Sequence, residues 1–80
     1  MSTARYFVFA GERDWLVTLD GARLGRHADR SAAVTSAIVM ADLMGSMQHD
    51  ADVMVEDDGR LEIAWTYGVD PLPTGQGQAA

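Results

Sequence analysis

Ser31 to Gln48 holds a single charged residue, Asp42, in eighteen positions. It is the one stretch long and apolar enough at helical spacing to form a helix of several turns. Asp29 precedes it as an N-cap, with a carboxylate that accepts amide hydrogens of the first turn. The pattern predicts a helix from about Arg30 to about Met47. Gly45 reads as either an early stop or a weak point in the last turn. At about 100° per residue, Val34, Ala37, Ile38, Ala41 and Met44 fall in one broad arc, which is assigned to a sheet. Val39, Met40, Leu43 and Met47 extend the apolar surface around the helix to about 260°, leaving Ser31, Thr35, Asp42 and Ser46 as a thin polar strip. A surface helix needs an apolar stripe of only about 100° or more. The surplus predicts a contact surface made of Val39, Met40, Leu43 and Met47.

The rest of the chain reads as strands. Arg5 to Ala10 is rich in aromatic and β-branched residues. Gly11 to Asp14 is a turn. Trp15 to Asp20 alternates, and Gly21 permits a tight turn after it. Arg23 to His27 reads as a short third strand interrupted by Gly25. Asp52 to Glu56 carries Val53, Met54 and Val55, and Asp57-Asp58-Gly59 is a hairpin signal because Asp-Gly accepts positive φ. Leu61 to Tyr67 alternates most regularly, which predicts one shared face for Leu61, Ile63, Trp65 and Tyr67. Tyr6 must face opposite to Phe7 and Phe9, so one of those faces lies outside the helix-covered core unless a partner covers it. The expected fold is α+β: a mostly antiparallel sheet of four to five strands, in the order β-β-(β)-α-β-β, with one helix on one face. Residues 1–73 form the expected domain. Residues 74–80, rich in Gly, Gln and Ala, are expected to be a disordered tail.

Eighty residues allow one core, and a chain this short buries only roughly 60% of its unfolded surface. Small domains make up the deficit with disulfides, metals or oligomerisation. The chain has no cysteine, which removes disulfides and thiolate metal sites and fits a reducing compartment. Twelve acidic residues against six basic give a net charge of −6, a field that repels nucleic-acid phosphates and anionic lipids. Tyr6 to Ala10 is too short for the apolar region of a signal peptide and is followed by Glu12, Arg13 and Asp14. No segment reaches the roughly 20 apolar residues of a membrane span. A cytoplasmic location is expected.

Several of these features occur together in a recognisable order. A tryptophan opens strand two (Trp15-Leu16-Val17), alanines punctuate the helix (Ala33, Ala37, Ala41), and Val53-Met54-Val55 precedes an Asp58-Gly59-Arg60 turn. The ordered part then closes on Trp65-Thr66-Tyr67-Gly68-Val69-Asp70-Pro71-Leu72-Pro73. This resembles a family of short bacterial proteins catalogued as a domain of unknown function, whose chains end in Tyr-Gly-x-Asp-Pro-x-Pro. The resemblance spans roughly residues 5 to 73, and its C-terminal segment is the most specific part. The chain departs from it in the charge-poor helix and the acidic balance. The resemblance implies a fold and assigns no activity to any residue.

The chemistry-bearing side chains do not fall into reactive spacings. His49, Asp50 and Asp52 with Asp57 and Asp58 match neither zinc nor calcium ligand patterns, and read as solvated turns. There is no cysteine nucleophile, no Gly-x-Ser-x-Gly elbow and no phosphate-binding glycine loop. Neither His27 nor His49 has a nucleophile beside it in the sequence. An enzyme, a cofactor and a metal are therefore not expected.

The expected function is a small non-enzymatic interaction module, self-associating as a homodimer through the helix or a sheet edge. Two alternatives stand beside it. One is a nucleic-acid-binding domain using the sheet aromatics (Tyr6, Phe7, Phe9, Trp15, Trp65, Tyr67) with Arg23, Arg26 and Arg30. The acidic balance counts against it, and the bland reading puts the rings in the core. The other is a small-ligand binder with a pocket between helix and sheet lined by Met40, Met44 and Trp65, for which no convergent polar groups are visible.

Overall fold

Two Asp-Gly pairs set the local geometry of the sheet. Asp20 and Gly21 have φ of 53° and 82°, and Asp58 and Gly59 have φ of 57° and 80°. Paired positive φ values are those of the two-residue turns that match strand twist. In the computed structural model, which describes residues 3–72, they join β2 (Trp15–Leu19) to β3 (Ala22–His27) and β4 (Asp50–Asp57) to β5 (Arg60–Thr66). The first strand, β1 (Thr3–Ala10), leads into β2 through a turn closed by the Gly11 amide donating to the Asp14 carbonyl at 2.6 Å. The fold is α+β with all five strands present, the third included. The predicted tail, residues 74–80, lies outside the described residues.

The strand order is β3-β2-β1-β4-β5. Every neighbouring pair is antiparallel except β1 and β4, which run parallel. A parallel pair needs a long crossover, and β2, β3 and the helix α1 (Arg30–Ser46) supply it. The helix lies on β4, β1 and β2, on one face of the sheet.

Asp29 caps α1 as expected, accepting the Ala32 amide at 2.8 Å. The C-terminus is closed by a Schellman arrangement. The His49 amide donates to the Met44 carbonyl at 3.2 Å, and the Gln48 amide to the Gly45 carbonyl at 2.9 Å. Gln48 takes the left-handed position, with φ 70°. Gly45 is not a stop: it lies inside the last turn, where the second reading placed it, and it is buried there.

The core pairs small helix residues with large sheet residues. Ala33, Ala37 and Ala41 are fully buried, and Ile38 nearly so; opposite them lie Tyr6, Val8, Val17, Val53, Val55 and Trp65. Alanines let the helix approach the sheet closely, so the sheet side chains fill the interior. Val34 and Met44, assigned to the sheet-facing arc, are partly buried against this core. Tyr6 faces the core with Ala4 and Val8 of its strand, and Phe7 and Phe9 are on the opposite face.

One predicted face does not survive. Leu61, Ile63, Trp65 and Tyr67 do not point the same way, because β5 contains a bulge. Val53 pairs with Trp65, but the next residue, Met54, pairs with Ile63, so Ala64 is the extra residue. A single extra residue inverts the alternation beyond it. Trp65 is 4% exposed under the helix, whereas Leu61 and Ile63 lie on the far face, 53% and 62% exposed.

Candidate interaction surfaces

The helix presents its surplus as a row. Val39 and Leu43 on α1 and Met47 at its C-cap are spaced four apart on the side away from Ala41, and each is 57–62% exposed. Met40, grouped with them on sequence, is half-buried and packs against the core. A ridge of four-residue spacing is the kind that packs against another helix.

The second surface is the sheet face that α1 leaves uncovered. Strand alternation and the β5 bulge place six apolar side chains on it: Phe7, Phe9, Leu16, Met54, Leu61 and Ile63. Cross-strand pairing aligns Thr18, Phe7, Met54 and Ile63 in one row, and Leu16, Phe9, Glu56 and Leu61 in the next. Arg23 pairs with Thr18 and Arg26 with Leu16, so the rows end in arginines on edge strand β3. Only part of this surface was legible in the sequence: Phe7 and Phe9 by alternation, but not Leu61 and Ile63.

One end of this face is closed by an ion pair. Arg5 and Asp52 are register partners on the parallel strands. The guanidinium donates through Nε to Oδ1 at 2.9 Å and through its terminal nitrogen to Oδ2 at 3.0 Å. The hydrogen bond to Asp52, and then its charge, raise the Arg5 pKa above its ordinary value. Asp52 is thereby engaged as a buried partner rather than left as a ligand. Among the described residues no three histidine or acidic side chains gather as a metal site. No helix among them is long and apolar enough to cross a membrane.

Arg23, Arg26 and Arg30 are not brought together. The first two edge the uncovered face, where Arg26 lies 3.4 Å from Asp14, while Arg30 starts the helix and lies 3.5 Å from Asp57. The proposed ligand-lining residues are likewise committed to packing. Met40 and Met44 rest against the core, and the Trp65 indole donates to the Pro71 carbonyl at 3.0 Å. Open clefts occur elsewhere, between the Gly11–Asp14 turn and Arg23 with Arg26, and around Asp57, Asp58, Arg60 and Glu62.

The most specific sequence segment does structural work. The Tyr67 amide donates to the Ala51 carbonyl at 3.0 Å, extending the β4–β5 pairing. Gly68 then takes φ 83°, reversing the chain. The Thr66 amide donates to Asp70 Oδ2 at 2.9 Å, and the Asp70 amide to the Thr66 carbonyl at 3.0 Å. Tyr67 lies over Gly45 and meets Trp65 edge-on, with ring centroids 6.2 Å apart. Tyr67, Gly68, Asp70 and Pro71 thus fasten the last strand to the helix. Pro73 lies outside the described residues. No family model, curated protein or solved structure matches the chain.

Proposed function

We propose that the chain is a non-enzymatic interaction module that associates with a second copy of itself through α1. The observation that carries this reading is the row Val39, Leu43 and Met47, three large apolar side chains held more than half exposed along one ridge. A cysteine-free chain suits the reducing cytoplasm, where we place its action.

The size of the effect follows from the exposure. Fully burying such a side chain stabilises by about 1.5–3 kcal/mol. At slightly over half exposed, each contributes about 1–2 kcal/mol on burial. A two-fold interface uses the row twice, so six side chains supply about 6–12 kcal/mol. Association costs an estimated 4–15 kcal/mol. The helix row by itself thus supports a weak dimer.

Sedimentation velocity over a concentration series tests the reading. Wild type should associate, and Leu43→Asp should lower the association through α1. Leu43 is exposed, so the substitution leaves the core intact. A wild-type chain that stays monomeric at its highest attainable concentration refutes the proposal.

A further inference from the structure

We infer that the uncovered face of the sheet is a second self-association surface, occupied by another copy of this chain packed face to face. This goes beyond the helix contact and rests on different residues. Tyr6 to Phe9 is an unbroken apolar run in the central strand. Continuous apolar runs belong to strands buried on both faces, as does most parallel pairing. Here α1 covers one face only. The other presents Phe7, Phe9, Leu16, Met54, Leu61 and Ile63, with Leu61 and Ile63 more than half exposed.

Size and charge both favour a second copy. Strands about 4.8 Å apart with about 3.3 Å per residue make this face roughly 24 Å by 20 Å. That is about 500 Å² in projection, before side-chain relief, which approaches the roughly 800 Å² per partner of a stable interface. The face is also electrically asymmetric. Arg23 and Arg26 lie on the β3 edge, and Glu56 lies on β4 at the same level as Arg26. A two-fold axis along the strands through β1 sets β3 over β5, and β2 over β4, of the second copy. Arg26 then lies one strand from Glu56 of the second copy, within reach of its long side chain. A two-fold axis across the strands would instead set arginine over arginine, so charge selects the first arrangement. Single-stranded nucleic acid suits the face less well. Arg5 is already paired with Asp52, and the Glu56 carboxylate stands beside Phe9, where it repels a phosphate backbone but can meet an arginine of a second copy.

Sedimentation of Ile63→Asp, Leu43→Asp and the double variant separates the two surfaces. With both in use, wild type exceeds a dimer, each single variant falls to a dimer, and the double variant is a monomer. If only the sheet contact exists, Leu43→Asp leaves a dimer and Ile63→Asp gives a monomer, so failure of the helix reading is distinguishable. A charge swap tests the orientation without touching an apolar group. Arg26→Glu should weaken sheet-mediated association roughly five- to ten-fold, from two exposed pairs per interface, and adding Glu56→Arg should restore it. An assembly unchanged by Ile63→Asp and by Arg26→Glu overturns the inference. So does a monomeric wild type that binds single-stranded RNA in a salt-sensitive way lost in Arg26→Glu.

Discussion

Gly45→Ala is a substitution whose sign separates helix propensity from tertiary packing. By propensity alone, alanine in a helix interior is better than glycine by about 1 kcal/mol. A methyl group at position 45, however, would overlap Cγ, Cδ1 and Cδ2 of the Tyr67 ring. These atoms are near the base of the side chain, so the clash cannot be relieved by swinging its tip. The ring must leave or the helix must shift, and overpacking of this kind typically costs about 1–3 kcal/mol. If the ring leaves, its edge contact with Trp65 goes too, at about 0.5–1.5 kcal/mol. The expected net effect is a loss of about 1 kcal/mol. In a Tyr67→Ala background the obstacle is gone, and Gly45→Ala should stabilise by up to about 1 kcal/mol. The two effects differ by a coupling of about 2 kcal/mol. Urea unfolding of the four proteins measures it, at one fixed protomer concentration because association adds to apparent stability. A gain of about 1 kcal/mol from Gly45→Ala in the wild-type background would refute the packing account.

Three further substitutions probe separate links. Gln48→Gly should raise the melting temperature, because a left-handed side-chain residue closes α1; the expected gain is about 0.5–1 kcal/mol, and no change counts against a strained cap. Asp70→Ala removes the acceptor of the Thr66 amide and should cost about 1 kcal/mol. It should also shift Trp65 fluorescence as the Pro71 carbonyl moves away, and unaltered emission would show that the turn holds without it. Burial pushes the Tyr6 phenol above its ordinary value of 10.0, so the folded state holds this proton more tightly than the unfolded chain. Stability is then complete below about pH 10 and declines as pH rises through the folded value. Urea midpoints taken from about pH 9 to 11 should decline less in Tyr6→Phe, and an identical decline would assign it to other groups.

The readable parts of the fold were those encoded within a few residues. Asp29 announces a helix start because its carboxylate serves amides in the next turn. The Asp58-Gly59 pair announces a hairpin because its positive φ values are set locally. The exposed row Val39, Leu43 and Met47 was visible because a regular helix converts spacing into direction. Met40 was grouped with that row because angle alone does not show how far a neighbouring sheet reaches around the helix.

The sequence by itself determined the order of the elements, the helix cap, the hairpin turns and the surplus apolar surface of Ser31–Gln48, and left the strand count at four or five. The tertiary structure alone decided that β1 lies parallel to β4, that Gly45 makes room for Tyr67, and that Leu61 and Ile63 turn away from Trp65. The physical reason is common to all three. Pairing partners, close approaches and bulges depend on what a distant strand or ring does, and Ala64 inverts a period-two pattern without leaving a mark on the alternation itself.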